Sequence, residues 1–327
     1  MSKIHDVAKR ANVSIATVSR VLNSSDHKVS AKTAEKVRRA IEVLDYRQNA
    51  LARALQINKT MTVGVIIPVI SNHYYAEIVR GIQDEADKEG YNIILQNTDR
   101  SQKRIVRSIN LLREKMVDGV IFSGGIIDGY EPLSVLNEFR ERVVVIGRHD
   151  VNFPAVMVDN ISGASQAVQH LIDQGHTRIG FIGWANDSTT AADRLSGYKS
   201  ALAQNRCRFD QDLVREGRLT PQSGFVEAQK LLSGDKAPTA IFAANDQMAF
   251  GARLALYRRG IRVPEEVSLV GFDDEATAAY MVPPLTTIKQ PAFEMGQAAA
   301  NSILQSINGQ DSSTQIFECH LVIRESV

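Results

Sequence analysis

Five polar clusters stand directly behind apolar runs, and their residue types suit the grip of a polyhydroxylated molecule. Ser71-Asn72-His73-Tyr74-Tyr75 follows Val63-Gly-Val-Ile-Ile-Pro, Arg148 follows Val143-Val-Val-Ile-Gly, and Asp159-Asn160 follows Ala155-Val-Met-Val. Asn245-Asp246-Gln247 follows Ala240-Ile-Phe-Ala-Ala, and Asp273-Asp274 follows Val267-Ser-Leu-Val-Gly-Phe. An amide offers donor and acceptor side by side, a carboxylate accepts from two hydroxyls, and a guanidinium donates through a planar fork. Aromatic rings add an apolar face. Taken singly, a strand-end Asp or Asn is more often the cap of the next helix. Five such clusters are harder to dismiss.

The elements that must position these groups are legible in the same stretch. From Val63 onward the chain alternates near-continuous apolar runs with amphipathic segments, adding Asn92-Ile-Ile-Leu-Gln, Gly119-Val-Ile-Phe-Ser and Arg178-Ile-Gly-Phe-Ile-Gly to the runs above. Such runs mean parallel strands covered by helices on both faces. Seven or more strand-helix units over about 265 residues fit two doubly wound parallel-sheet subdomains better than one. Ligands of such sheets bind outside the carboxyl ends of the strands, so the crevice between the subdomains is the expected site.

The N-terminal segment has a different character. Residues 1–59 carry a net charge of +7 and residues 60–327 a net of −6, although the whole chain is at +1. A basic head on an acidic body points toward nucleic acid. Ile4, Val7, Ala8 and Ala11 recur with helical spacing, and Asn12-Val13-Ser14 reads as a tight turn. Ser14 can cap a second helix, Ile15 to Leu22, whose Val18, Val21 and Leu22 face inward. A third helix is expected from a Ser30 cap to Leu44, with Ala34, Val37 and Ile41 toward the core. Two helices joined by a three-residue turn form a helix-turn-helix, whose second helix enters the DNA major groove. Its outward residues are Ala16, Ser19, Arg20 and Asn23, with Ser14, Ile15 and Thr17 at its start and flank. Arg20 could reach guanine, while Ile15 and Ala16 could meet a thymine methyl. The alternative is a three-helix bundle that binds protein or nothing.

Between head and body, Arg47-Gln-Asn-Ala-Leu-Ala-Arg-Ala-Leu-Gln56 reads as a short helix capped by Asn49, with Leu51 and Leu55 one turn apart. About seven residues fall well short of the ~12–15 needed for marginal helix stability in water, so such a segment orders only against a partner. An ordinary linker is the other reading.

Several function classes lose support. Cys207 and Cys319 form neither a CxxC pair nor a disulfide framework, which suggests a reducing compartment. The N-terminus lacks a signal-peptide apolar core and no stretch approaches 18 apolar residues, so a cytoplasmic protein without membrane association is expected. The absent signal also weighs against a solute-binding protein feeding a transporter. No GxGxxG follows the first strand, and GxxxxGK[ST], HExxH and GxSxG are missing, which weighs against an enzyme. No two of the seven histidines share helical metal-ligand spacing, so no metal is expected, and His176 reads as a loop residue.

The segment from Ile4-His-Asp-Val-Ala through Thr17-Val-Ser-Arg-Val-Leu-Asn23 closely resembles the headpiece of the LacI/GalR family of bacterial transcription regulators. The resemblance runs through the chain. Asn72-His-Tyr-Tyr is similar to a family Asn-Pro-Phe-Phe/Tyr element, with His73 in place of proline. Arg194-Leu-Ser-Gly-Tyr, Asn245-Asp-Gln-Met-Ala, Gly271-Phe-Asp-Asp and Leu285-Thr-Thr-Ile-Lys-Gln-Pro resemble further family elements, the last a late crossover strand. The resemblance implies a helix-turn-helix headpiece over residues 1–46, a hinge helix and linker over 47–59, and an effector-binding and dimerisation core over 60–327. It implies that Leu55 wedges into the minor groove with Ala52 and Arg53 beside it, and that Arg194 contacts effector. Tyr46, Asn49, Leu51 and Gln56 complete the DNA-facing candidates. The effector candidates are Asn72, His73, Tyr74, Tyr75, Arg148, Asp159, Ser188, Thr190, Arg194, Leu219, Asn245, Gln247 and Asp273. The chain ends at Val327 without a heptad tail, so a dimer is expected. The expected activity is that of an operator-binding repressor gated by a sugar or sugar derivative, with no cofactor.

Overall fold

The computed structural model describes residues 2–22, 29–46, 59–123, 130–139, 141–149, 151–183, 189–234 and 237–327. The chain divides into two units, Met1–Thr60 and Met61–Val327.

In the first unit, α1 (Ile4–Ala11), α2 (Ile15–Leu22) and α3 (Ala31–Val43) pack around Val7, Ala8, Ala11, Val18, Val21, Ala34, Val37 and Ala40. The turn after α1 works because Asn12 takes the left-handed conformation, φ 55°, which Asn tolerates better than most residues. Ser14 Oγ then accepts the Thr17 N–H at 3.1 Å and Ser30 Oγ the Thr33 N–H at 3.3 Å, so both following helices start at hydroxyl caps. One inward residue differs from expectation. Ala40, three positions after Val37, is buried, whereas Ile41 packs at the margin of the same cluster. The i+3 step, not i+4, meets the core here. The hinge residues Asn49, Leu51, Ala52, Arg53, Leu55 and Gln56, like Asn23 and Ser188, lie outside the described residues.

The second unit is α/β, with two parallel sheets. Its strands are β1 (Thr62–Ile67), β2 (Asn92–Asn97), β3 (Gly119–Ser123), β4 (Val143–Ile146), β5 (Ala155–Val158), β6 (Ile179–Ile182), β7 (Val214–Arg215), β8 (Ala240–Ala243), β9 (Ser268–Val270), β10 (Thr287–Lys289), β11 (Gln315–Phe317) and β12 (His320–Val322). Its α-helices are α4 (His73–Lys88), α5 (Gln102–Glu114), α6 (Tyr130–Asn137), α7 (Asn160–Asp173), α8 (Thr189–Gln204), α9 (Pro221–Leu231), α10 (Asp246–Arg258) and α11 (Ala292–Ile307). The first lobe's sheet runs β11-β5-β4-β3-β1-β2 and the second lobe's β7-β6-β8-β9. All neighbours within both sheets pair in parallel. β10 and β12 form a separate antiparallel pair.

Alternation along the strands explains the layers. Val63, Val65 and Ile67 join the core shared with Ile78 and Ile82 of α4 and Ile303 of α11. Ile66 joins the opposite core with Ile105, Ile109 and Leu112 of α5. Both faces are therefore dry, which is why these strands read as continuous apolar runs. Gly81 and Gly296 let α4 and α11 touch: a Cβ at either would collide with the carbonyl oxygen of Phe293 or Ile78.

The chain crosses between the lobes three times, at Asp159, at Gln290-Pro291 and at Glu318-Cys319. Strand order reverses between β1 and β3 in one sheet and between β6 and β8 in the other. Those switch points open crevices at the strands' carboxyl ends.

Candidate functional site

The head presents α2. Ser14, Ile15, Ala16 and Arg20 are exposed, Thr17 and Ser19 half-buried, and Tyr46 packs against the three-helix core. The inward set Val18 and Val21 holds this face rigid, so Arg20 and Ala16 project from a fixed surface.

In the second unit a cleft lies where both sheets' switch points and two of the three crossings meet. Its lining includes Asn72, Tyr74, Tyr75, Arg148, Thr190, Arg194, Leu219, Asn245 and Asp273, and its empty volume is about 750 Å³ counted to the open mouth. Asn72 caps α4 from the end of β1, its Oδ1 accepting the Tyr74 N–H at 2.9 Å. Tyr74 and Tyr75 stand edge to face, ring centroids 5.1 Å apart. Burial holds both phenols above the usual tyrosine range, so they act as neutral hydroxyls.

The floor is an arginine-centred network. Arg194 of α8 is 4% exposed, a buried charge that must be paired. Its Nε donates to Asn160 Oδ1 at 2.9 Å, Nη1 donates to the Ala244 carbonyl and lies 3.4 Å from Asp273 Oδ1, and the guanidinium stacks 3.6 Å from the Phe272 ring centroid. Asp273 Oδ1 also accepts from Gln290 Nε2 at 2.6 Å. Its backbone φ of 121° is one that L residues rarely adopt. Burial pushes the Asp273 carboxyl up to about 7, against the lowering pull of Arg194. Asn245 caps α10 by accepting the Met248 N–H at 3.0 Å, and its Nδ2 donates to the Leu219 carbonyl at 3.4 Å. Donors, acceptors and two rings thus converge on a polar cavity with one ion pair at its base. Such convergent planar groups and rings suit the binding of a small polar molecule.

The head segment 3–49 matches the family model described as bacterial regulatory proteins, lacI family, and residues 168–327 match a periplasmic binding protein-like domain. Catabolite control protein A of Priestia megaterium is 39% identical over 318 residues, 96% of this chain and 95% of that protein. The chain belongs to the LacI family. Among solved structures, the lac repressor dimer bound to operator and the anti-inducer ONPF is 32% identical, covers 99% of this chain and 98% of that one, and has a TM-score of 0.90. The transcriptional regulator CelR in complex with cellobiose is 33% identical over the whole of both chains, with a TM-score of 0.76. This LacI-family chain is thus a DNA-binding transcription regulator with an effector-binding α/β body, and not an enzyme.

Within the LacI-family body, not every candidate reaches the cleft. His73, exposed in the first turn of α4, is not among the lining residues. Asp159 caps α7, its Oδ1 accepting the Ser162 N–H at 2.9 Å, and borders a different groove. Gln247 donates to Glu275 Oε2 at 2.5 Å. Conversely, Arg100, His149, Thr189 and Met295 line the cleft without having been singled out, and so do Asn160 and Gln290, which the sequence placed in a quoted cluster and a quoted motif but not among the effector candidates. Asn160 and Gln290 sit at lobe crossings. Arg100 carried no sequence signal. His176 is structural: its ring nitrogens lie 2.9 Å from the Thr239 and Ser268 hydroxyls. Cys207 and Cys319 are free thiols. Among the described residues no group of His, Cys, Asp or Glu is arranged to hold a metal, and no helix is long and apolar enough to cross a membrane.

Proposed function

We propose that this protein is a homodimeric repressor that binds a palindromic operator and is gated by a sugar or sugar derivative in the cleft. The head, hinge and core divide at 1–46, 47–59 and 60–327, and the protein acts in the cytoplasm without a cofactor. The observation that carries the effector reading is the convergence of Asn72, Asn245 and the Arg194–Asp273 pair on one cavity between the lobes. Planar hydrogen-bonding groups around a small polar cavity match the hydroxyls of a sugar ring, and Tyr74 and Tyr75 supply the apolar side. The cellobiose held by CelR supports the same ligand class. On DNA, α2 reads the major groove through Ile15, Ala16 and Arg20, while Leu55 wedges a central step in the minor groove.

Selection from random duplexes tests the operator half. A two-fold dimer returns palindromes of roughly 14–20 base pairs with a flexible pyrimidine–purine step at the centre. Direct repeats or asymmetric sites would overturn the dimeric reading. A thermal-shift screen of sugars, sugar acids, sugar phosphates and purines tests the effector half, because a ligand that binds the folded state raises its apparent stability. Hits confined to purines would replace the sugar assignment.

A further inference from the structure

Three guanidinium groups border the cleft, from Arg100, Arg148 and Arg194. Two are matched by carboxylates: Arg148 by Asp193 at 2.7 Å and Arg194 by Asp273 at 3.4 Å. Arg100 has no carboxylate partner among the described residues. Its positive charge is felt at the Tyr75 hydroxyl, where it pulls against the upward push of burial. The adjacent carboxylate, Asp99, is engaged by Asn97 Nδ2 at 2.7 Å and by Arg104. The cleft wall therefore carries one guanidinium in excess of its carboxylates, although the body around it has a net charge of −6.

The backbone supports this placement. Asp99 and Arg100 follow β2 with φ of 48° and 58°, two consecutive L residues in the left-handed region. Such conformations are held only where surrounding structure enforces them. Thr98, buried just before them, ties the strand end by donating its N–H to the Ile67 carbonyl at 3.0 Å and its hydroxyl to the same oxygen at 3.2 Å. Arg100 is thus set on the first-lobe rim, opposite the Arg194–Asp273 floor of the second.

We propose that the effector is an anionic sugar derivative whose phosphate or carboxylate docks on Arg100 while its hydroxyls are held by Asn72, Asn245 and the Arg194–Asp273 pair. Arg100 is then the residue that separates anionic effectors from their neutral parents. This inference rests on the sugar-type reading of the cleft. A neutral sugar leaves the Arg100 guanidinium to solvent, whereas an anion gains charge-assisted hydrogen bonds through its fork. Such bonds correspond to on the order of tenfold to a hundredfold in affinity.

Isothermal titration of the full chain with matched sets tests it: glucose, glucose 6-phosphate and gluconate, then ribose, ribose 5-phosphate and ribonate, with inorganic phosphate as a control for bare anion binding. Wild type should favour one anionic member over its neutral parent by at least about tenfold. The phosphate and carboxylate arms identify which group docks. Arg100→Gln should bring the two within about threefold, the anion losing far more affinity than its neutral parent, and Arg100→Lys should restore part of the preference. An anionic preference that survives Arg100→Gln overturns the role of Arg100. Binding of neutral sugars alone overturns the inference but leaves the sugar reading intact. Silence across both sets overturns the two together.

Discussion

Arg148, beyond the carboxyl end of β4 in the first lobe, grips Asp193 on α8 of the second through hydrogen bonds of 3.1 and 2.7 Å. Beside it, the Thr189 hydroxyl donates to the Arg148 carbonyl oxygen at 2.7 Å. These contacts tie the lobes together at the cleft wall. The pair is partly solvated, with side-chain exposures of 45% and 16%, so it is a weak tie that the protein can make and break.

The pair should therefore matter more for closure than for folding. Arg148→Met, Asp193→Asn and the double variant should each change unfolding free energy by no more than ~1 kcal/mol, the ceiling for an exposed ion pair. Effector affinity should shift severalfold in each single variant, with little further change in the double, because one contact is lost in all three. Equal effector affinity in all four proteins would show that the pair plays no part in closure. Chemical denaturation and calorimetry supply the two readouts.

The raised Asp273 carboxyl predicts a pH signature. Unfolded, the group titrates near ~3.9; folded, at about 7. Between those values the folded state binds more protons than the unfolded, so this group's contribution to stability falls as pH rises through the window and levels off above 7. Asp246, buried and also raised, contributes in the same direction. The wild type minus Asp273→Asn difference isolates the Asp273 part, and thermal unfolding from pH 5 to 8.5 measures it. Effector affinity should vary across the same interval in wild type and flatten in the variant. A pH profile unchanged by Asp273→Asn would show that the carboxyl does not titrate there.

Arg20 should read a base. Arg20→Ala should cost ~1–3 kcal/mol on the selected operator and relax preference at one symmetric position. A phosphate contact would instead weaken every sequence alike and shallow the salt dependence by about one ion. Binding to a panel of single-base operator variants distinguishes the two patterns.

The two halves should be coupled through the hinge. Effector can shift DNA affinity only by its differential affinity for the two body states, and operator must shift effector affinity by the same factor, typically worth ~1–3 kcal/mol. Leu55→Ala should weaken specific DNA binding and shrink that factor, leaving effector affinity of the free protein unchanged. Titration of effector into wild type and Leu55→Ala, each with and without saturating operator, measures every corner of the cycle. Identical effector affinity with and without operator in wild type would mean the sites are independent.

What the amino-acid sequence determined by itself is local. Ile4, Val7, Ala8 and Ala11 share a face because a helix repeats every 3.6 residues, and α1 buries Val7, Ala8 and Ala11 of that set. The apolar runs became buried parallel strands because both sheet faces are covered. Asn72, Asp159 and Asn245 all cap helices, as short polar residues behind strands should. Their further roles depended on where each strand ends. Asn72 and Asn245 follow β1 and β8, at switch points of their sheets, and so line the cleft, whereas Asp159 is spent on its cap and turns to another groove. The tertiary structure also decided the partners. Arg148 meets Asp193 across 45 positions and Arg194 meets Asp273 across 79, spacings that carry no local period. It likewise placed β11 beside β5 and brought Arg100, from a turn after the sheet's edge strand, onto the cleft wall. Periodicity and capping act over three or four residues, so they specify elements. Convergence at a site is set by strand order and by the three crossings between lobes, which exist only once the sheets have formed.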